Sequence, residues 1–416
     1  MIVKPELVRG AGKEKLKAGL VGCGGRGTQA IVDMMRGTEN VDIVSMGDLF
    51  EDKLEASLGN LKKQSDYGKF QDRIKVDAEH RFVGFEAYKK VLATDIDIVM
   101  LATPPGYRPA HFEAAIDAKK HVFCEKPFGV DPVGVQRFMR AAKKSEELKL
   151  TVMSGAQRRN AKDYMETISK IQNGAIGDVV ANYAYWVGSP VFPIGKPELR
   201  KPAWGEMTWQ HRQWYSFVWI CGDQIVEQHL HNIDVCNWVM GTHPVECVAS
   251  GGVAWRKPNE DPEWYGNIYD HISADFIYPN GAHMSSYCRQ YPRGSAENVS
   301  ELIIGTKGRS NGHDLGTGGG QDVRQRFQDQ RENPYVREHT AMLASIRGDG
   351  PYVNHGMTVA ESTMTCIMGR EAAYSGQKLT WDMMMNSKLD LQPKSFDYDA
   401  KMDIPPLPVP GVYKFI

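Results

Sequence analysis

The segment Lys17-Ala-Gly-Leu-Val-Gly22-Cys-Gly24-Gly25-Arg26-Gly27 constrains this chain more than any other. A short apolar run breaks into glycines at 22, 24 and 27, and the apolar spacing of a helix follows at once in Ala30-Ile31-Val32 and Met34-Met35. A strand that turns sharply into a helix around a dinucleotide needs that order. The first glycine permits the turn, the second lets the backbone approach the pyrophosphate, and the third lets helix and strand pack closely. Free N–H groups at the helix N-terminus then meet the phosphate charge. A glycine triple alone can be a plain turn. Here a second strand, Val41 to Met46, runs into Gly47-Asp48, 26 residues after Gly22. An acid at that distance can accept from both ribose hydroxyls of NAD and would repel the extra phosphate of NADP. Leu49-Phe50-Glu51 places no Lys or Arg directly after it, so the pattern predicts NAD, held by Gly22, Gly24, Gly25, Arg26, Gly27 and Asp48.

At 416 residues the chain is too long for one ordinary core and suits two domains. Its 42% hydrophobic and 24% charged residues are those of an ordinary globular protein. Lys and Arg total 50 against 51 Asp and Glu, so there is no broad basic field to attract nucleic acid or an anionic membrane. No apolar run approaches the ~20 residues of a membrane span. Seven scattered cysteines show no CxxC pair, which argues against a zinc ribbon or a disulfide framework and for reduced thiols. Met-Ile-Val-Lys-Pro-Glu-Leu at the N-terminus lacks the apolar core of a secretion signal. The cytoplasm is the expected location, with the periplasm open for a chain from which an export signal has been removed.

From Lys17 to about Thr151 strand and helix alternate. Strands are predicted at 16–21, 41–46, 97–102, 121–124 and 150–153, and helices near 26–36, 51–63, 85–93, 108–118 and 132–147. Crossover helices between successive strands give a doubly wound parallel sheet, a Rossmann arrangement over 13–153. Beyond Gly155 the pattern changes. A helix at 161–173 leads into a β-rich run from Asp178 to Gly188, and further strands are expected at 245–253, 270–278, 282–290 and 299–304. Pro279-Asn-Gly281 reads as a hairpin turn in which both turn residues tolerate positive φ. The second domain, 154–390, is therefore expected to be α+β with a mostly antiparallel, open-faced sheet. Residues 305–335, rich in Gly, Asn, Gln and Arg, read as a mobile lid or interface arm. Helices near 335–347 and 357–375 follow, and a proline-rich tail over 391–416 is expected to lie extended along a surface.

Three features carry candidate chemistry. The strand ending at Ala102 enters Thr103-Pro104-Pro105 at the carboxyl edge, where open parallel sheets bind ligands; a plain loop would look much the same. His121-Val-Phe-Cys-Glu125-Lys126-Pro127 puts an ion-pairing couple at the same edge, where a lysine could hold developing alkoxide charge or relay a proton. A solvated pair explains that spacing equally well. The third feature runs from Gly222 to Trp238, where apolar residues at 226, 230, 233 and 235 predict one helix with a buried stripe. Glu227, His231 and Asp234 then share a face, and a carboxylate beside the imidazole makes His231 a candidate general base. A buried pair that only packs is the competing reading. A metal site of Glu227, His229 and His231 ranks last because i, i+2 geometry does not converge on one ion, so no metal is expected.

Together these residues resemble the Gfo/Idh/MocA family, named for glucose–fructose oxidoreductase, inositol dehydrogenase and a rhizopine-catabolism protein. The resemblance spans nearly the whole chain: the glycine turn, Asp48, Thr103-Pro104-Pro105 with His111 downstream, Glu125-Lys126-Pro127, Gly174-Ala-Ile-Gly177, the 222–238 segment and Ile304-Gly-Thr-Lys-Gly308. It implies hydride exchange between NAD(H) and a secondary hydroxyl or carbonyl of a sugar, cyclitol or glycoside. Lys126 takes the place of the family's motif lysine, and Glu227, His231 and Asp234 that of its Asp-x-Gly-x-His-x-x-Asp helix. Glu227 stands where an aspartate is usual, and His229 replaces a glycine. Thr103, Pro104, Pro105, His111, Glu125 and Lys126 are thereby placed at the cofactor, and Asp234 at the substrate. The aromatic stretch Trp209 to Trp219, with His211, Arg212 and Trp214, reads either as a substrate wall or as core. Arg158 either lines the cleft or sits in solvent. The resemblance also implies a homo-oligomer, a dimer or tetramer, through the open sheet face. A carbohydrate dehydrogenase is the leading expectation. An NAD-requiring glycosidase or lyase that oxidises its substrate transiently, and a non-catalytic nucleotide-binding subunit, are the alternatives.

Overall fold

The structure, a computed structural model, describes residues 15–63, 68–191, 197–315 and 332–416. These fall into two compact units. The first takes its described residues from Met1–Phe128, Arg137–Ala161 and Arg326–Val359, and the second from Gly129–Gln136, Lys162–Gln325 and Ala360–Ile416.

In chain order the amino-terminal elements are β1 (Leu16–Val21), α1 (Gly25–Gly37), β2 (Val41–Asp48), α2 (Glu51–Lys63), β3 (Arg81–Val83), α3 (Ala87–Ala93), β4 (Ile98–Leu101), α4 (Arg108–Asp117), β5 (His121–Cys124), α5 (Pro132–Glu147) and β6 (Val152–Ser154). All sheet neighbours run parallel in the order β3-β2-β1-β4-β5-β6, the doubly wound arrangement expected. β4 and β5 are buried at every position, as a sheet covered on both faces requires. β3 was absent from the expectation, since three half-exposed residues carry no periodic signal.

The second half contains α6 (Lys162–Gln172), β7 (Val179–Gly188), α7 (Glu206–Arg212), α8 (Val218–Cys221), α9 (Gln224–Glu227), α10 (Leu230–Met240), β8 (Glu246–Gly252), α11 (Pro262–Tyr265), β9 (His271–Ile277), β10 (His283–Gln290), β11 (Asn298–Gly305) and β12 (Arg309–Ser310). It closes with α12 (Pro334–Arg347), α13 (Gly356–Ser375), β13 (Leu379–Thr380) and α14 (Trp381–Asn386). The second sheet is ordered β12-β11-β7-β10-β9-β8-β13 and is antiparallel except where β7 meets β10.

Several boundaries differ from expectation. α12 groups with the first unit because Met342, Leu343 and Ile346 join the same buried cluster as Ile31, Met34 and Met35 of α1. Asn333 caps its start, accepting from the Tyr335 amide, and Gly348 ends it at φ 81°. The Pro279–Gly281 turn does join β9 to β10, but only Gly281 has positive φ; the Asn280 side chain accepts from the Ala282 amide instead. Of the expected lid over 305–335, residues 316–331 lie outside the described residues, and the rest includes β12 and the start of α12. The tail over 391–416 groups with the second unit and is strapped to it. Leu391, Met402 and Ile404 pack on Trp209, Phe217, Trp219 and Ile220, and Thr208 and Tyr269 donate to the carbonyls of Tyr398 and Pro408.

Candidate active site

The glycine turn is built as tightly as its sequence suggests. Gly22 sits at φ +97°, and a Cβ there would lie 2.6 Å from the Ala102 carbonyl carbon. A Cβ on Gly27 would lie 2.0 Å from the Gly22 carbonyl oxygen. Gly24 and Gly25 are different. Both are exposed, and a Cβ on either meets nothing within 4 Å. They open directly onto the N-terminus of α1, whose first turn carries no acidic residue and no side-chain cap. Uncapped helix amides facing open space form a cradle for an anion, and the residues present fit a dinucleotide pyrophosphate.

Asp48 ends β2 beside this turn. Its Oδ2 accepts from the Cys23 amide at 2.6 Å and its Oδ1 from the Phe50 amide at 2.8 Å. Burial raises its carboxyl above the usual range, against both amides, which hold it down. Each oxygen keeps a second lone pair for a ribose hydroxyl. Cys23 itself is inert: its buried thiol is pushed well up, and all seven cysteines are buried outside any disulfide.

At the other expected cofactor positions the structure gives packing roles. His111 lies buried on α4, stacked on Tyr88 at 4.1 Å and Tyr107 at 5.6 Å, with Nδ1 3.3 Å from Thr103 Oγ1. Burial, then Arg108 and Arg137, push its imidazole down to about 3, so it is neutral and braces the Thr103-Pro104-Pro105 corner from behind. Arg26, expected at the cofactor, turns all three guanidinium nitrogens to the carboxylates of Glu125, Asp33 and Glu338. Glu125 and Lys126 are both buried at the end of β5.

The 222–238 segment is not one helix. α9 ends at Glu227, Gln228 and His229 form a turn, and α10 begins at Leu230. The His229 amide reaches back to the Gln224 carbonyl, and its Nε2 lies 2.8 Å from Ser286 Oγ in the buried interior. The break removes the expected single face for Glu227, His231 and Asp234. It also removes the single stripe, since both sides of α10 are buried. Glu227 Oε2 accepts from Gln228 Nε2 at 2.6 Å, while Asp234 Oδ1 accepts from Ser362 Oγ of α13 at 2.7 Å. The His231 ring stacks on Trp186 of β7, 5.9 Å between centroids. Trp186 escaped the sequence reading, although its alternation with Ala184 on β7 was available as a signal. Among the described residues no group of three or more His, Cys, Asp or Glu could hold a metal ion.

The aromatic stretch is mainly core. Trp209 and Trp219 are buried, with indole nitrogens donating to the Glu263 carbonyl and Gln210 Oε1. His211 Nδ1 is bonded to the Met207 carbonyl of its own helix, its ring is edge-on to Trp219, and burial lowers it to about 4. Arg212 lies over the Trp204 ring, and Trp214 is half-buried. Arg158, in a short 3-10 turn after β6, is buried rather than solvated.

The model of an oxidoreductase family with an NAD-binding Rossmann fold, Gfo/Idh/MocA, matches residues 16–154. That match takes in the first sheet and about a third of the chain, and it likens this part to the Gfo/Idh/MocA oxidoreductases. Inositol 2-dehydrogenase of Salmonella paratyphi B is 25% identical over 227 residues, covering 54% of each chain. The match thus spans about half the length of this curated relative. Among solved structures, myo-inositol 2-dehydrogenase from Lactobacillus plantarum superposes with a TM-score of 0.65 at 16% identity, covering 88% of this chain and 99% of that one. The WlbA dehydrogenase from Bordetella pertussis, solved with NADH and UDP-GlcNAcA, gives 0.66 at 17% identity, covering 88% and 98%. At such identities the structural likeness is one of fold, and it covers 88% of this chain. No described helix is long and apolar enough to cross a membrane.

Proposed function

We propose that this protein is a Gfo/Idh/MocA oxidoreductase, an NAD(H)-dependent dehydrogenase of a secondary alcohol on a cyclitol or sugar ring. The observation that carries the reading is the exposed Gly24–Gly25 cradle at the uncapped start of α1, with the Asp48 carboxylate ending the neighbouring strand. The diphosphate would lie on the α1 amides and a ribose diol on Asp48, which disfavours a 2′-phosphate. Bound there, NAD+ would supply the hydride acceptor. The substrate alcohol loses its hydroxyl proton to His231, a C=O forms as the carbinol hydride leaves, and the Lys126 ammonium steadies the oxygen as its charge develops. The cyclitol or sugar class is supported by the inositol dehydrogenases among the relatives.

The test is a panel of cyclitols, free sugars and nitrophenyl glycosides incubated with NAD+, with reduced-cofactor absorbance and released nitrophenol read in parallel. NADH formed from a cyclitol or free sugar is expected. His231→Ala and Lys126→Ala should each lower kcat on the order of a hundredfold or more while NADH still binds. Nitrophenol release without net NADH, or full turnover by His231→Ala, would overturn the reading.

A further inference from the structure

We propose that Ser286 of β10 and Asn232 of α10 are positioning residues for His231: their hydrogen bonds hold a one-residue insertion between α9 and α10 that turns the imidazole toward Trp186. The proposal rests on the reading of His231 as the group that takes the substrate proton.

The insertion lies in the backbone ladder. The Gln224 carbonyl accepts from the Gln228 amide at 3.0 Å and also from the His229 amide at 3.2 Å, a step of five residues. The next amides tighten instead. His231 donates to the Gln228 carbonyl at 3.3 Å and Asn232 to the His229 carbonyl at 3.0 Å, steps of three. One residue added to a helical ladder rotates everything after it by about 100° relative to an unbroken helix. His231 is thereby turned off the face that Glu227 occupies. No proline or glycine stands between Asp223 and Gly241 to break the helix locally. The irregular turn is held from outside the helix.

Three adjacent strands supply the hold. β11, β7 and β10 are neighbours in the second sheet, and Ala184 of β7 stands opposite Glu301 on one side and Ser286 on the other. Residues paired in this way project from the same side of the sheet, as does Trp186 two positions along β7. Each strand engages a different residue of the turn that starts α10. Ser286 Oγ is hydrogen-bonded to His229 Nε2 at 2.8 Å, Glu301 Oε1 accepts from Asn232 Nδ2 at 2.5 Å, and the Trp186 ring lies 5.9 Å from that of His231. Glu301 is fixed in turn by the Tyr164 hydroxyl, which donates to its Oε2 at 3.1 Å. His229, Asn232, Ser286 and Glu301 are all buried. His231 therefore sits between two anchored neighbours, one tied to each strand that flanks β7. Buried hydrogen bonds add little net stability, but they weaken steeply with angle. They set a direction that apolar packing alone leaves looser.

The experiment uses the full-length protein with isotope-labelled histidine and follows the imidazole C–H signal of His231 by NMR, assigned by its loss in His231→Gln. Trp186→Leu calibrates the ring-current shift that the indole imposes. Ser286→Ala and Asn232→Ala should each remove at least half of that shift. Tyr278→Phe is the control for a merely structural role. The Tyr278 hydroxyl donates to Asn237 Oδ1 at 2.7 Å near the other end of α10, so that variant loses a comparable buried bond and should leave the signal in place. An unmoved signal in Trp186→Leu, or in either folded alanine variant, would overturn the proposal. So would an equal displacement in Tyr278→Phe, which would mark a general loosening of α10. Should one alanine variant not fold, the other decides by the same criterion. With a substrate in hand, both should lower kcat by about tenfold or more and leave KM within about twofold. The NMR readout uses no turnover. Absence of any oxidisable substrate would therefore defeat the dehydrogenase reading while leaving the placement of His231 to stand or fall by itself.

Discussion

The Tyr374 hydroxyl donates to Asp223 Oδ2 at 2.5 Å in the fully buried interior of the second unit. The same oxygen accepts from the Tyr269 amide at 2.9 Å, and Oδ1 accepts from the Gln224 amide. Asp223 holds a φ of 77°, a conformation that favours glycine, and these bonds hold it there while it starts α9. Tyr374→Phe should cost on the order of 1–3 kcal/mol in urea denaturation, the cost of leaving one buried acceptor bond unmade.

Asp223 also gives the fold a pH dependence. Burial raises its carboxyl to about 6 from 3.8, against the bonds from Tyr374, Tyr269 and Gln224. Between those values the unfolded chain has lost the proton that the folded chain keeps, so stability falls as pH rises and levels off above 6. The decline is about 3 kcal/mol. Asp223→Asn should remove it, as read from denaturation midpoints on either side of that window.

Glu338 is predicted to act in the same direction. Its carboxyl is raised well above 4.5 by burial, so its contribution to stability is lost progressively as pH climbs past that value. Glu338→Gln keeps the shape without the proton equilibrium. The variant should gain on wild type as pH is raised from 5 to 8 in parallel urea titrations, by an amount that grows with pH.

The two kinds of glycine in the turn should separate affinity from folding. Gly24→Val places its side chain in open space, so the melting temperature should barely move while NADH affinity drops on the order of tenfold or more. Gly27→Ala drives its methyl against the Gly22 carbonyl and should lower the melting temperature itself. Thermal melts and NADH fluorescence on both variants check the contrast.

Cofactor choice should follow Asp48. Asp48→Asn keeps one acceptor oxygen, for the Cys23 or the Phe50 amide, and removes the charge that repels a 2′-phosphate. The ratio of NADPH to NADH dissociation constants should fall by about tenfold or more. Side-by-side titrations with the two reduced cofactors measure it.

Periodic and punctuating residues made the first sheet readable from one strand to the next. A buried strand must be apolar along its length, and a dinucleotide turn admits only glycine at its tight points. That is why β1, β2, β4 and β5, the α1 start and the Asp48 position were all legible. The 222–238 segment was legible only as helical. Its break at Gln228–His229 goes with the bond from His229 to Ser286, 57 residues away, which no helical spacing encodes.

By itself, then, the sequence determined the two classes of sheet and the glycine turn, because each rests on local pattern or on motif order. Only the tertiary structure decided that α12 belongs with the first unit, that the proline-rich tail is a strap on the second, and that Arg26 faces Glu125, Asp33 and Glu338. Those outcomes depend on burial and charge pairing between residues up to 312 positions apart. Such pairing is settled by which surfaces can be removed from water together, a property of the folded chain and not of any window along it.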